Sequence, residues 1–151
     1  MKIFTFFIVM LISGIDTAQA KNKAGEFSEF YCLSETIYHE SRGEPIPGQF
    51  AVGSVVMNRV RSKHYPSTVC EVVHQPYQFS WTLIKTELWI TDKKSWRIAQ
   101  QIAWILLHGG MRSNVGTALD YHSVDVNPKW AKSYVKTLTL GRHIFYTRDK
   151  S

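Results

Sequence analysis

Apolar residues recur at helical spacing in three separate stretches of the chain. Phe30, Leu33, Ile37 and Tyr38 form the first, and Gly43, Pro45 and Pro47 end it, which predicts a helix over residues 28–41 with Glu40 in its last turn. The second carries Phe50, Val52, Val55, Val56, Met57 and Val60. It is rich in β-branched residues but too long for one strand, and reads as a mostly buried helix over 48–62. In the third, "SWRIAQQIAWILLHGG", Ser95 is the expected N-cap, Trp96, Ala99, Ile102, Ala103 and Leu106 make a core stripe, and Gly109 stops the helix. Between the last two, "SKHYPSTVCEVVHQ" predicts a loop into one helical turn bearing Val69, Val72 and Val73, and "QFSWTL" looks like a strand. A loop, "MRSNVGT", leads to "ALDYHS" and "RHIFYT", two short extended candidates flanking "VDVNPKWAKSYVKTLTLG". Helices early, with short strands near Trp81 and the C-terminus, argue a segregated α+β domain over alternating βαβ units.

The N-terminus has a different character. "MKIFTFFIVMLISGIDTAQA" has one lysine, an apolar run over residues 3–12 and a closing Ala18-Gln19-Ala20, the layout of a secretory signal peptide. The run is well short of the ~20 residues of a membrane span. Cleavage after Ala20 is expected, with an uncleaved anchor as the alternative, leaving residues 21–151 as a single domain whose first residues, 21–26, fray. That domain keeps the formal charge of +6, because one lysine and one aspartate leave with the first twenty residues. An exported basic domain favours anionic polymers, whether cell wall, nucleic acid or acidic membrane. The two cysteines, Cys32 and Cys70, both lie in the exported part. In an oxidising compartment such a pair bridges, two buried free thiols being the alternative.

Candidate chemistry centres on "YHESRGEPIPGQ", residues 38–49. His39-Glu40 looks like the start of HExxH, but position 43 is glycine, so the zinc motif fails. The remaining histidines fit no metal-ligand spacing, no serine lies in GxSxG, and the basic residues are too dispersed for a nucleic-acid surface. Glu40 has a physical case as a general acid: the negative end of the helix dipole and the nearby Glu44 would both raise its pKa, unless Arg42 pairs with it. An exposed helix-end glutamate is the plainer alternative.

Taken in order, "CLSETIYHESRGEPIPGQFAVGSVVMNRV", "YPSTVCEVVHQPYQFSWT", "YHSVDVNPKWA" and "LGRHIFY" cover almost all of residues 31–146 and resemble the SleB/CwlJ-type cell-wall hydrolase family. The resemblance implies a compact, mostly helical, lysozyme-like α+β domain with a small antiparallel sheet, acting on peptidoglycan glycan strands. The family's catalytic glutamate, the first of its "EARGE" stretch, falls on Glu40 of "ESRGE", with serine for alanine at position 41. Lytic transglycosylation is the implied reaction, with Glu40 as acid then base. A glycan hydrolase, an N-acetylmuramoyl-L-alanine amidase and a non-catalytic wall-binding protein are the rivals. A hydrolase would need a second carboxylate, for which Glu44, then Asp120, then Asp125 stand nearest in the motifs. Glu44, Gln78, Phe79, Tyr121, His122 and His143 are the expected substrate-lining residues; Trp81 and Trp130 could stack on sugar but also suit the core, and Asn58 could hydrogen-bond sugar hydroxyl or acetamido groups or, like Arg59, cap or pair internally. No metal or organic cofactor, no nucleic acid and no lasting membrane anchor are implied. The expected working form is a monomer in the periplasm or cell wall.

Overall fold

The computed structural model describes residues 15–84, 90–109 and 114–148, with the side chains of residues 15–20 and Phe27 left aside. The apolar run at residues 3–12 and the start of the loop at 111–117 lie outside them. The elements follow as α1 (Ile15–Ser41), α2 (Ile46–Arg61), α3 (Val69–Val73), α4 (Lys93–Leu107), β1 (Asp120–Ser123), β2 (Val135–Leu140) and β3 (His143–Thr147), with 3-10 turns at Ser80–Leu83 and Lys129–Lys132. The domain is α+β, helices first and a three-stranded antiparallel sheet last, in the order β1-β3-β2.

Helix α1 is longer than its apolar pattern. Residues 21–26, expected to fray, are exposed yet helical, because lysine, alanine and glutamate supply helix propensity that outweighs Asn22 and Gly25. Its buried face, Leu33, Ile37 and Tyr38, packs on α4 through Ala99, Ile102, Ala103 and Leu106. The N-cap of α4 is Asp92 rather than Ser95: its carboxylate accepts the N–H groups of Lys94 and Ser95, each at 3.0 Å, and the Ser95 hydroxyl at 2.6 Å. A carboxylate at that position also answers the positive end of the helix dipole. Gly109, in the left-handed region at φ 70°, follows the end of α4. Helix α2 is buried on nearly every side, and Gly53 lets Leu106 and Ile37 approach it. A disulfide joins Cys32 of α1 to Cys70 of α3.

"QFSWTL" is not a strand. The Phe79 side chain is held in the core, and the Thr82 hydroxyl bonds back to the Phe79 carbonyl at 2.7 Å, which coils the segment into a 3-10 turn. The stretch between the two expected strands holds a third, β2, whose mostly exposed Val-Lys-Thr-Leu-Thr-Leu pattern leaves only Leu138 and Leu140 to face the domain. The inner face of the sheet, with Tyr121, Leu138, Leu140 and Phe145, lies on Ala51, Val52 and Val55 of α2. Alternation turns His122 and Tyr146 to the opposite face, where Trp130 packs against both rings. The sheet therefore stands beside the C-terminal end of α1, which bears Glu40.

Candidate active site

Glu40 sits in the last turn of α1, half-buried where the helical layer meets the sheet. The Tyr121 hydroxyl, from β1, donates to Glu40 Oε2 at 3.0 Å. Burial pushes the Glu40 carboxyl above the usual carboxylate range, while the Tyr121 hydrogen bond and the Arg59 guanidinium pull the other way. The upward direction agrees with the sequence reading, but the cause differs. Glu44 contributes none of the shift, because its carboxylate turns away to accept the backbone N–H of Arg142 at 2.8 Å. Arg42 lies over the Tyr38 ring, 5.0 Å from its centre, and the cation acting on Glu40 is Arg59.

Beside this pair opens a cleft of about 310 Å³ lined by Arg59, Gln78, Asp120, Tyr121, Trp130 and Arg148, among others. Arg59 is 5% exposed; its Nε donates to the Leu119 carbonyl at 2.8 Å, and its guanidinium lies between the rings of Tyr65 and Phe79. Arg148 grips both oxygens of Asp120, at 2.7 and 2.9 Å, and Arg59 stands 3.9 Å from the same carboxylate. Tyr77, on the rim, adopts a left-handed φ of 64° and is 85% exposed, a strained conformation of the kind that gathers at ligand sites. A larger hollow, about 620 Å³ between Phe30 of α1 and Trp104 of α4, has no carboxylate and none of the expected residues among the described residues that line it.

The expected lining residues do not all reach the cleft. Glu40 and Tyr121 meet, and Gln78 is exposed on the cleft wall that Tyr121 shares. His143 is buried and packs edge-on against Tyr121, ring centres 5.1 Å apart; burial and the Arg142 charge hold its pKa down, with Glu44 opposing. Phe79 is 2% exposed and belongs to the core, so it presents no face to a sugar. His122 shares its face of β1 with Asp120 and packs against Trp130, both cleft residues, while its ring nitrogens lie 2.8 Å from the Ser123 carbonyl and 2.9 Å from the Tyr146 hydroxyl. Asn58 and Arg59 do pair internally, Asn58 with the carbonyls of Gly116 and Ala118. Sequence reasoning missed Tyr77, Tyr134 and Arg148 as cleft residues. Tyr77 and Tyr134 lie beside recognised motif residues, whereas Arg148 falls beyond the last motif and carries no local signal. Among the described residues no group of three or more His, Cys, Asp or Glu side chains converges as metal ligands would.

Comparison with known proteins places the chain in a family. The family model described as Cell Wall Hydrolase matches residues 43–146, beginning just past Glu40. The spore cortex-lytic enzyme of Bacillus cereus is 30% identical over 119 residues, 78% of this chain and 44% of that protein. The spore cortex-lytic enzyme of Bacillus subtilis (strain 168) is 30% identical over 133 residues, 85% of this chain and 41% of that protein. The chain thus spans less than half the length of these curated relatives. Among solved structures, the catalytic domain of the Bacillus cereus SleB protein superposes with a TM-score of 0.65 at 29% identity, covering 79% of this chain and 89% of that one. The catalytic domain of the germination-specific lytic transglycosylase SleB from Bacillus anthracis gives a TM-score of 0.64 at 29% identity, with 79% and 93% covered.

Proposed function

Because the chain belongs to the cell wall hydrolase family, we propose that it is an exported enzyme that cleaves the MurNAc-GlcNAc bond of peptidoglycan by lytic transglycosylation, with Glu40 as general acid and then general base. The observation that carries this reading is the Glu40–Tyr121 pair. Glu40 must hold a proton when the substrate arrives and must be a competent carboxylate one step later. Burial favours the first state, whereas the Tyr121 donor and the Arg59 charge favour the second, so the opposing influences keep both within reach.

In the first step Glu40 gives its proton to the glycosidic oxygen as the bond from muramyl C1 to that oxygen breaks, and positive charge develops at C1. In the second, the Glu40 carboxylate takes the proton of the C6 hydroxyl on the same sugar while O6 bonds to C1. The products are a 1,6-anhydromuramyl end and a free N-acetylglucosamine hydroxyl, and Glu40 regains its proton. No water is consumed. A glycan hydrolase would place a second carboxylate roughly 5–9.5 Å from the acid. The three candidates are otherwise engaged: Glu44 with the Arg142 N–H, Asp120 with Arg148, and Asp125 with the Arg142 guanidinium and the Ser123 hydroxyl. Exposed Tyr77 and the partly buried rings of Trp130 and Tyr134 suit stacking on pyranose faces, with Gln78 free to bond acetamido or hydroxyl groups. The lytic transglycosylase whose catalytic domain shares this fold supports the same reading.

The test is digestion of purified peptidoglycan with the protein and with Glu40→Gln, followed by mass spectrometry of the fragments. Anhydro-muropeptides from the wild type alone are expected. Reducing ends would make the enzyme a hydrolase, free stem peptides an amidase, and undiminished cleavage by the variant would remove Glu40 from the reaction. No cleavage by either would leave a wall-binding protein.

A further inference from the structure

Glu44 is tied at both ends. Its N–H bonds to the Ser41 carbonyl at 2.8 Å, and its own carbonyl accepts the Gln49 side-chain amide at 2.9 Å, which fixes the backbone across the junction of α1 and α2. From that anchor the carboxylate crosses 98 residues of sequence to the Arg142 N–H in the turn between β2 and β3. Gly141, at φ 55°, leaves room for it: a Cβ there would fall 1.8 Å from Glu44 Oε2 and 3.2 Å from Pro45 Cδ. The turn is fastened from its other side as well, by the Val124 N–H on the Arg142 carbonyl at 2.8 Å and by Asp125 on the Arg142 guanidinium. The next residue, His143, is buried edge-on against the Tyr121 ring, and Tyr121 donates to Glu40. A continuous set of contacts thus leaves the loop just after Glu40, passes through the hairpin turn, and returns to Glu40 through Tyr121.

We propose that Glu44 is a positioning residue: by clasping the Gly141-Arg142 turn to the start of α2 it seats the sheet so that the Tyr121 hydroxyl meets Glu40, and it takes no part as a second catalytic carboxylate. The effect on turnover rests on the lytic reading above, but the placement itself can be read without turnover. A clasp needs only an acceptor oxygen, which glutamine retains and alanine lacks. A catalytic carboxylate needs its charge.

The experiment compares Glu44→Gln, Glu44→Ala, Gly141→Ala and the Glu44→Ala/Gly141→Ala pair in the full chain. Glu44→Gln is expected to keep kcat within roughly tenfold of wild type, since it exchanges a charge-assisted hydrogen bond for a neutral one. Glu44→Ala and Gly141→Ala are each expected to lose about 10²-fold in kcat with little change in KM, the scale of a slightly misplaced catalytic group. The double variant should be no worse than the poorer single, because both changes break one contact. A second measurement, titration of the Glu40 carboxyl by carbon-13 NMR, needs no substrate. Glu44→Ala should move its midpoint upward, as loss of the Tyr121 donation requires, and Glu44→Gln should leave it in place. If Glu44→Ala fails to fold, Glu44→Gln against Gly141→Ala makes the same comparison. Glu44→Gln as inactive as Glu40→Gln, Gly141→Ala fully active, or an unmoved Glu40 midpoint in Glu44→Ala would overturn the proposal. Release of reducing ends or stem peptides by the wild type would overturn the lytic reading alone, leaving the NMR comparison to decide on Glu44.

Discussion

Tyr121 and Glu40 are 81 residues apart in sequence and 3.0 Å apart in space, with the phenol donating to the carboxylate. Tyr121→Phe removes that donor while keeping the ring on Phe145. A hydrogen bond to a charged group contributes about 1.5–3 kcal/mol, so kcat should fall roughly 10- to 100-fold as the carboxylate becomes harder to form. The Glu40 limb of the pH–rate profile should move to higher pH, because the lost bond is one of the influences holding its pKa down. Steady-state kinetics across pH reads both effects.

Stability should depend on pH through the same residue. Burial raises the Glu40 pKa in the folded state, so the native protein holds a proton that the unfolded chain releases. Stability attributable to Glu40 therefore falls as pH rises from the unfolded to the folded pKa and stays low above it. Glu40→Gln carries no such penalty. It should melt at a higher temperature than wild type at neutral pH, and the gap should close once the pH is below the ordinary glutamate range. Thermal unfolding followed by circular dichroism at a series of pH values checks this.

The Cys32–Cys70 bridge closes a loop with a sequence separation of 38 and pins α3 to α1. On the chain-entropy estimate its removal should cost about 4 kcal/mol. Urea unfolding of Cys32→Ala/Cys70→Ala, and of wild type in strong reductant, should show similar losses.

Gly53 marks where three helices crowd together. A Cβ at that position would come within 2.6 Å of Leu106 Cδ1 and 3.0 Å of Ile37 Cδ1. Gly53→Ala should therefore lose about 1–3 kcal/mol through overpacking, despite alanine's better helix propensity. Equilibrium unfolding in urea measures it, and a gain in stability would contradict the tight packing described for α2.

The helices were legible because each buries one face or nearly all of its surface, so the apolar spacing of Phe50 to Val60, or of Ala99 to Leu106, carries the fold in plain view. Strand β2 was not, since an edge strand with exposed Val135, Lys136, Thr137 and Thr139 has little burial to advertise. Ser95 was a reasonable cap by type, but Asp92 stands where its oxygens reach two N–H groups, a choice made by chain geometry. Phe79 and His122 sit in recognisable motifs, yet Phe79 packs against Arg59 within the core, and the ring nitrogens of His122 face the Ser123 carbonyl and the Tyr146 hydroxyl. Glu40 stood out in the sequence, but its partner Tyr121 and the destination of the Glu44 carboxylate depend on tertiary placement. Local patterns carry no record of a contact 81 or 98 residues away.

Glu40 is attached to a helix whose apolar face belongs to one core, and it accepts from a tyrosine whose ring packs against that core and the sheet-side core alike. Glu40, the bridge and Arg59 all precede the sheet in the chain, but the hydroxyl that donates to the Glu40 carboxylate comes from β1. The pair is therefore a property of the seam between helices and sheet. Any motion that draws β1 away from α1 parts the two groups.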